Sequence, residues 1–190
     1  MRRHSMLPNQ GGEVVAQRGK RVCSQDCVCP LMSVHCKTQG EKRRQWLGAV
    51  RQNRTDVMEY VWEGLSRGKH GNTLRDYLQA RDDESKTPFQ IAACRGNAEA
   101  FDCLARMAAT LSRQEAQVIV NLQDRGALLT PLMEACYRGE EAMVRALQGL
   151  GAQWQIRSAS DMMAADYARQ QGYGAIVELS GKQYQNVEGG

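Results

Sequence analysis

The sequence predicts an all-α protein, a helix–turn–helix solenoid of about four units behind a disordered N-terminal tail. Three observations lead there. First, residues 81–96, RDDESKTPFQIAACRG, recur as residues 124–139, DRGALLTPLMEACYRG, in a chain with only four prolines. Second, apolar residues at helical spacing follow each closing glycine: Ala100, Phe101 and Leu104 in one copy, and Met143, Val144 and Leu147 in the other. Third, fainter copies flank these two. WLGAVRQN places Trp46 where Phe89 stands and Ala49 where Ala92 stands, and MAADYARQQG starts at Met163. The intervals are 43, 43 and 33 residues, in the range of stacked helical repeats. A three-helix bundle would explain the amphipathicity but not turn chemistry that recurs in register.

Residues 1–40 carry no sustained apolar period and read as a solvated tail. The first 45 residues hold nine Lys/Arg against three Asp/Glu, so the remaining body is close to neutral. Cys23, Cys27, Cys29 and Cys36, with His35, lack the paired knuckles of a zinc site. Free thiols are the simpler reading, and no metal or cofactor is expected. Arg2, Arg3, Arg18, Lys20 and Arg21 leave an organelle address open, and Lys42 to Arg44 a nuclear one. Helical pattern starts at Glu41. Trp46, Leu47, Ala49 and Val50 form one face, and Val57, Met58, Tyr60, Val61 and Leu65 a second, begun by Thr55 and Asp56. Residues 67–72 are a loop by composition, which accounts for the longer first period.

In each strong copy the threonine can cap a helix, and proline at the first helical position gives up only an N–H that lacks a partner there anyway. Phe89 and Leu132 open the apolar face. The small pairs Ala92-Ala93 and Ala135-Cys136 let neighbouring helices approach. Gly96 and Gly139 stand where the chain must turn through positive φ. Ser112 and Glu115 have the capping-box form, which predicts an extended or added helix before the second hairpin. Cys94, Cys103 and Cys136 lie on small or apolar helix positions, which suits a reducing compartment such as the cytoplasm. Residues 182–190 read as a flexible C-terminal tail.

On these residues the chain resembles the ankyrin-repeat family, whose unit reads Thr-Pro-Leu-His-x-Ala, a glycine-ended helix, a second helix and a hairpin. Gln90 stands in place of the histidine. The hairpin holding Asn121 and Asp124 is one residue longer than the family's, and Gly151-Ala152-Gln153-Trp154 stands for Gly-Ala-Asp-Val. The resemblance covers about residues 41–181, strongest in the two central units. It implies a non-enzymatic module that binds another protein through its hairpin tips and first helices. The positions that match the family's contact sites are Arg81, Asp83, Glu84, Lys86, Arg95, Arg125, Tyr137, Arg138, Arg157 and Gln170.

Catalysis finds little support in the residues. His4, His35 and His70 lie in loops or the tail, and the acids at 82–84 and 140–141 fit a hairpin tip and a helix end. No phosphate-binding glycine loop is present. No membrane partner is expected, nucleic acid is disfavoured, and the chain reads as a monomer. Two other readings stay open: a metal- or nucleic-acid-binding tail supported by the repeats, and a fragment of a longer repeat protein. Trp62 and Trp154 are expected to pack in the core or at its edge.

Overall fold

The computed structural model describes residues 38–66 and 73–185. The four tail cysteines, the three histidines and the 67–72 loop lie outside those residues. The described chain forms α1 (Gln39–Arg51), α2 (Thr55–Ser66), α3 (Leu74–Leu78), α4 (Pro88–Arg95), α5 (Ala98–Ala109), α6 (Arg113–Val120), α7 (Pro131–Arg138), α8 (Glu141–Gly149), α9 (Ala164–Gln170) and α10 (Gly174–Gln185). No strand occurs among the described residues. The expected all-α helical solenoid is therefore the observed fold. Its hairpins are tight turns, not paired strands.

Two rows of helices make the solenoid. The first helices, α1, α4, α7 and α9, pack successively against one another, and the second helices, α2, α5, α8 and α10, do the same. One core runs between the rows, from Trp46 and Val50 through Phe89, Phe101 and Leu104 to Leu132, Val144, Leu147, Ala168 and Ile176. Phe89 and Phe101 meet edge to face at 5.5 Å. Ala92 and Ala135 are fully buried, as close helix approach requires. Cys103 and Cys136 lie in the same core. Burial raises both thiols, that of Cys136 to about 12, so neither is a reactive thiolate at neutral pH.

Helix ends keep the repeat in register. Thr87 and Thr130 cap α4 and α7 by accepting from the Gln90 and Met133 amides, each with proline at the first turn. Gln90 also accepts from the Thr87 N–H at 2.7 Å and donates to the Leu129 carbonyl, so it links its hairpin to the next unit. In the degenerate last unit Met163 cannot cap, and Asp166 accepts its N–H at 2.9 Å. That bond holds the Asp166 carboxyl below the usual range. Four equivalent positions after the first helices adopt the left-handed conformation: Asn53, Gly96, Gly139 and Gly172, at φ 56°, 69°, 79° and 80°. Asparagine is among the few side chains that tolerate it.

Three boundaries differ from expectation. α1 begins at Gln39, because Thr38 and Glu41 form a capping box that the apolar pattern does not reveal. The long first period is not loop alone: Thr73 and Asp76 cap the short helix α3. α3 packs on α5 and α6, so both long periods have the same cause, a third helix ahead of the hairpin. Finally, α10 runs to Gln185, past the expected end at 181.

Candidate functional site

The hairpin tips are built by acidic and hydroxyl side chains that accept from the turn's own amides. Asp82 accepts from the Glu84 and Lys86 N–H groups at 3.0 and 2.8 Å. Asp124 accepts from Gly126, Leu128 and Leu129. Ser158 plays the same part in the last unit, accepting from Met162 at 3.3 Å. Each turn then passes through positive φ two residues before the helix cap, at Ser85, Leu128 and Asp161. The acidic pattern at 82–84 is therefore turn chemistry in its first member, and Asp82 also pairs with Arg51 at 2.9 Å.

Successive tips are tied together. The Arg81 guanidinium donates to the Ser85 carbonyl at 2.6 Å and to the Gln123 carbonyl at 2.9 Å. The Gln123 amide donates in turn to Leu128 and Arg157, and the Ala159 N–H donates to Ala127. Arg81, expected as a contact residue, is thus half-buried and acts as a strut between units. Arg157 remains exposed but is held by Asp161 at 3.1 Å. Asp83, Glu84 and Arg125 project from the tips into solvent.

The first-helix row presents the other candidates. Arg95, Tyr137, Arg138 and Gln170 are exposed at the C-terminal ends of their helices, and Tyr137 directly follows the fully buried Cys136. Tyr137 keeps half its surface, at 51%, and meets Tyr167 edge to face at 6.5 Å. Lys86 is half-buried between the first tip and α7. Its ammonium lies 3.6 Å from Cys94 Sγ, 3.3 Å from Glu84 and 3.8 Å from Glu134. Cys94 is therefore not simply a small apolar residue. It forms part of the polar floor between units. Trp154 is buried as expected, whereas Trp62 is half-buried with the Arg106 guanidinium 5.8 Å from its ring centre.

Glu134 was not among the candidates. It is 7% exposed and accepts no hydrogen bond among the described residues. Burial, and then the nearby Asp124 and Glu84 charges, raise its carboxyl, against the pull of Lys86 and Arg138. Aligning the copies would have exposed it, since Ile91 and Tyr167 hold the same position. A raised folded value means that Glu134 favours the fold when protonated, and that this contribution is lost as pH rises through the folded pKa. Glu134→Gln should therefore raise neutral-pH stability by about 1 kcal/mol, the order of a buried polar group's desolvation. The gain should shrink as pH falls towards the ordinary glutamate value of 4.5. Urea titrations at several pH values measure it, and a loss of stability at pH 7 would show that the Lys86 pair outweighs the burial.

Among the described residues no group of three or more His, Cys, Asp or Glu side chains is placed to hold a metal ion. No described helix is long and apolar enough to cross a membrane. No protein-family model matches the chain, and no curated protein matches it. Solved structures do. One is the crystal structure of the yeast ribosomal protein Rps3 in complex with its chaperone Yar1. A chain there is similar to this one with a TM-score of 0.63, at 16% identity, over 78% of this chain and 96% of that chain. Identity at that level bears on the fold alone.

Proposed function

We propose that this chain is an ankyrin-type, non-enzymatic interaction module that binds a partner protein through its hairpin tips and first-helix face. One observation supports this above the others. Tyr137 and Arg138 stand exposed on α7 although Ala135 and Cys136, immediately before them, are fully buried. A stacked array turns its first helices towards a continuous surface, and Tyr and Arg are the side chains that most often dominate interface energies. The similar chain in the Rps3–Yar1 structure comes from a protein–protein complex, which agrees with this use of the fold. The acids that could suggest acid–base chemistry have structural partners: Asp82 its turn amides, and Glu141 the Arg145 guanidinium.

The first test is capture of partners by the intact chain and by residues 38–190, which keep the Thr38 cap. A partner held by both fragments places binding in the repeats, whereas one held only by the intact chain transfers it to the tail. The second test separates surface from scaffold. Tyr137→Ala with Arg138→Ala should leave stability within about 0.5 kcal/mol, as exposed sites do, yet weaken partner binding. Ala135→Leu should do the reverse, overpacking the fully buried junction at a cost of about 1–3 kcal/mol. Thermal melts beside a titration with the captured partner decide. A Tyr137/Arg138 variant that melts and binds normally would move the interface elsewhere.

A further inference from the structure

Each first helix carries an arginine in its last turn: Arg51, Arg95, Arg138 and Arg169. A cation there favours the partial negative charge of a helix C-terminus, which explains why arginine occurs in that turn. It does not explain how the four are sorted. The outer two are paired, Arg51 with Asp82 at 2.9 Å and Arg169 with Asp166 at 2.6 Å. The central two, Arg95 and Arg138, have no carboxylate within the 4.0 Å of an ion pair among the described residues, and both are exposed.

These two guanidiniums belong to adjacent units at equivalent positions, and the glycine caps bring the chain beside them. A Cβ on Gly96 would lie 3.0 Å from Arg138 Nη2 and 3.2 Å from Glu140 Oε1. Arg138 therefore lies across the end of α4, next to Arg95. One unit on, the Tyr173 ring covers Gly139 in the same way. The result is a ridge of Arg95, Arg138 and Tyr173, with Tyr137 beside it. Both tyrosines are partly exposed, at 51% and 38%. Glu140 shares the Gly96 cap with Arg138 and offsets one of the two positive charges.

We propose that Arg95 and Arg138, at equivalent positions of adjacent units and followed along the row by Tyr173, dock a carboxylate-rich extended segment of a partner protein. This rests on the interaction-module reading and names the chemistry of the partner. A guanidinium offers a fixed fork of donors that matches a carboxylate, and the tyrosine faces take the apolar stems of an extended chain. The chain's own N-terminus is excluded as the occupant by charge: residues 1–37 hold six Lys/Arg and two Asp/Glu, the same sign as the ridge.

The test uses the full chain and two fluorescent dodecapeptides, one alternating Glu with Ser and Leu, the other with Lys in place of Glu. Fluorescence anisotropy at low salt should detect the acidic peptide. Arg95→Gln with Arg138→Gln should weaken it about tenfold or more, the loss expected for charge-assisted hydrogen bonds. Glu140→Gln should tighten it, Asp102→Asn with Glu178→Gln, exposed acids on the second-helix row, should leave it unchanged, and thermal melts of all variants should agree with the parent. Equal or stronger binding of the Lys peptide, no binding of either peptide, or indifference to the arginine changes would overturn the acidic partner. Binding of a single-stranded oligonucleotide as tight as that of the acidic peptide would overturn a protein occupant. A captured partner lost on Tyr137→Ala but insensitive to both arginines would leave the interaction-module reading standing while removing this one.

Discussion

Gly139→Ala should destabilise the protein by about 2–4 kcal/mol, through two terms that can be separated. The residue sits at φ 79°, where a side chain other than glycine is strained. That term alone is about 1 kcal/mol. The second is steric, because a Cβ there would lie 2.6 Å from two atoms of the Tyr173 ring. At that distance either the ring or the helix cap must shift, and overpacking of this kind adds about 1–3 kcal/mol. Gly96 is the internal control. It has nearly the same φ, 69°, but its added methyl would meet only the flexible ends of Arg138 and Glu140. Gly96→Ala should therefore show the backbone term with little more. Urea denaturation of both variants, and of each combined with Tyr173→Ala, forms the required cycle. Tyr173→Ala should recover the steric part in the Gly139 background and nothing in the Gly96 background. Equal losses at the two glycines would show that Tyr173 does not cover the Gly139 cap.

Trp46→Ala should cost about 3–5 kcal/mol, the usual range for deleting a fully buried large aromatic. Trp46 is completely buried, meets Tyr77 edge to face at 5.5 Å, and donates its indole N–H to the Tyr77 carbonyl at 2.9 Å. The residue thus joins α1 to the α3 segment across the chain outside the described residues. Because stability in a repeat array is carried by nearest-neighbour interfaces, the loss should fall mainly on α1 and α2. Hydrogen exchange should then show α1 opening ahead of α7, with a broadened urea transition. Trp46→Phe keeps most of the ring contact and removes only the donor to the Tyr77 carbonyl, for a smaller loss of about 1–2 kcal/mol. An unchanged midpoint in Trp46→Ala would mean that the first unit does not stack on the second.

Much of this architecture was legible from local chemistry. Thr87 with Pro88 and Thr130 with Pro131 start helices because capping and proline's fixed φ act within one turn. Gly96 and Gly139 end them because positive φ is a property of one residue. The register extended correctly to units whose signature is worn away, since Asn53 and Gly172 occupy the same left-handed position. The added helix before the second hairpin was readable from Ser112 and Glu115. Its counterpart α3 has the same box in Thr73 and Asp76, but five residues are too short to show a period, and the helix exists because Tyr77 and Leu78 are buried.

The candidate site divides along the same line. Tyr137 and Arg138 lie outside because they close α7, after six successive buried residues, where the helix leaves the stack. Whether Arg51, Arg81, Arg95 or Arg138 is a strut, a paired surface charge or an unpaired one does not follow from sequence, because each outcome depends on partners supplied by another unit. Arg81 is a strut through a carbonyl 42 residues away, and Arg51 is neutralised by an aspartate 31 residues away. Arg95 and Arg138, identical to Arg51 in local role, have no carboxylate in ion-pair range among the described residues. Local residues alone determined where helices begin, end and bury a face, since those choices are settled within a turn or two of chain. Only the stacking of units decided which charges are compensated from another unit, since such a pair depends on distances in space that no sequence interval sets, unlike the pair of Arg169 with Asp166 three residues away.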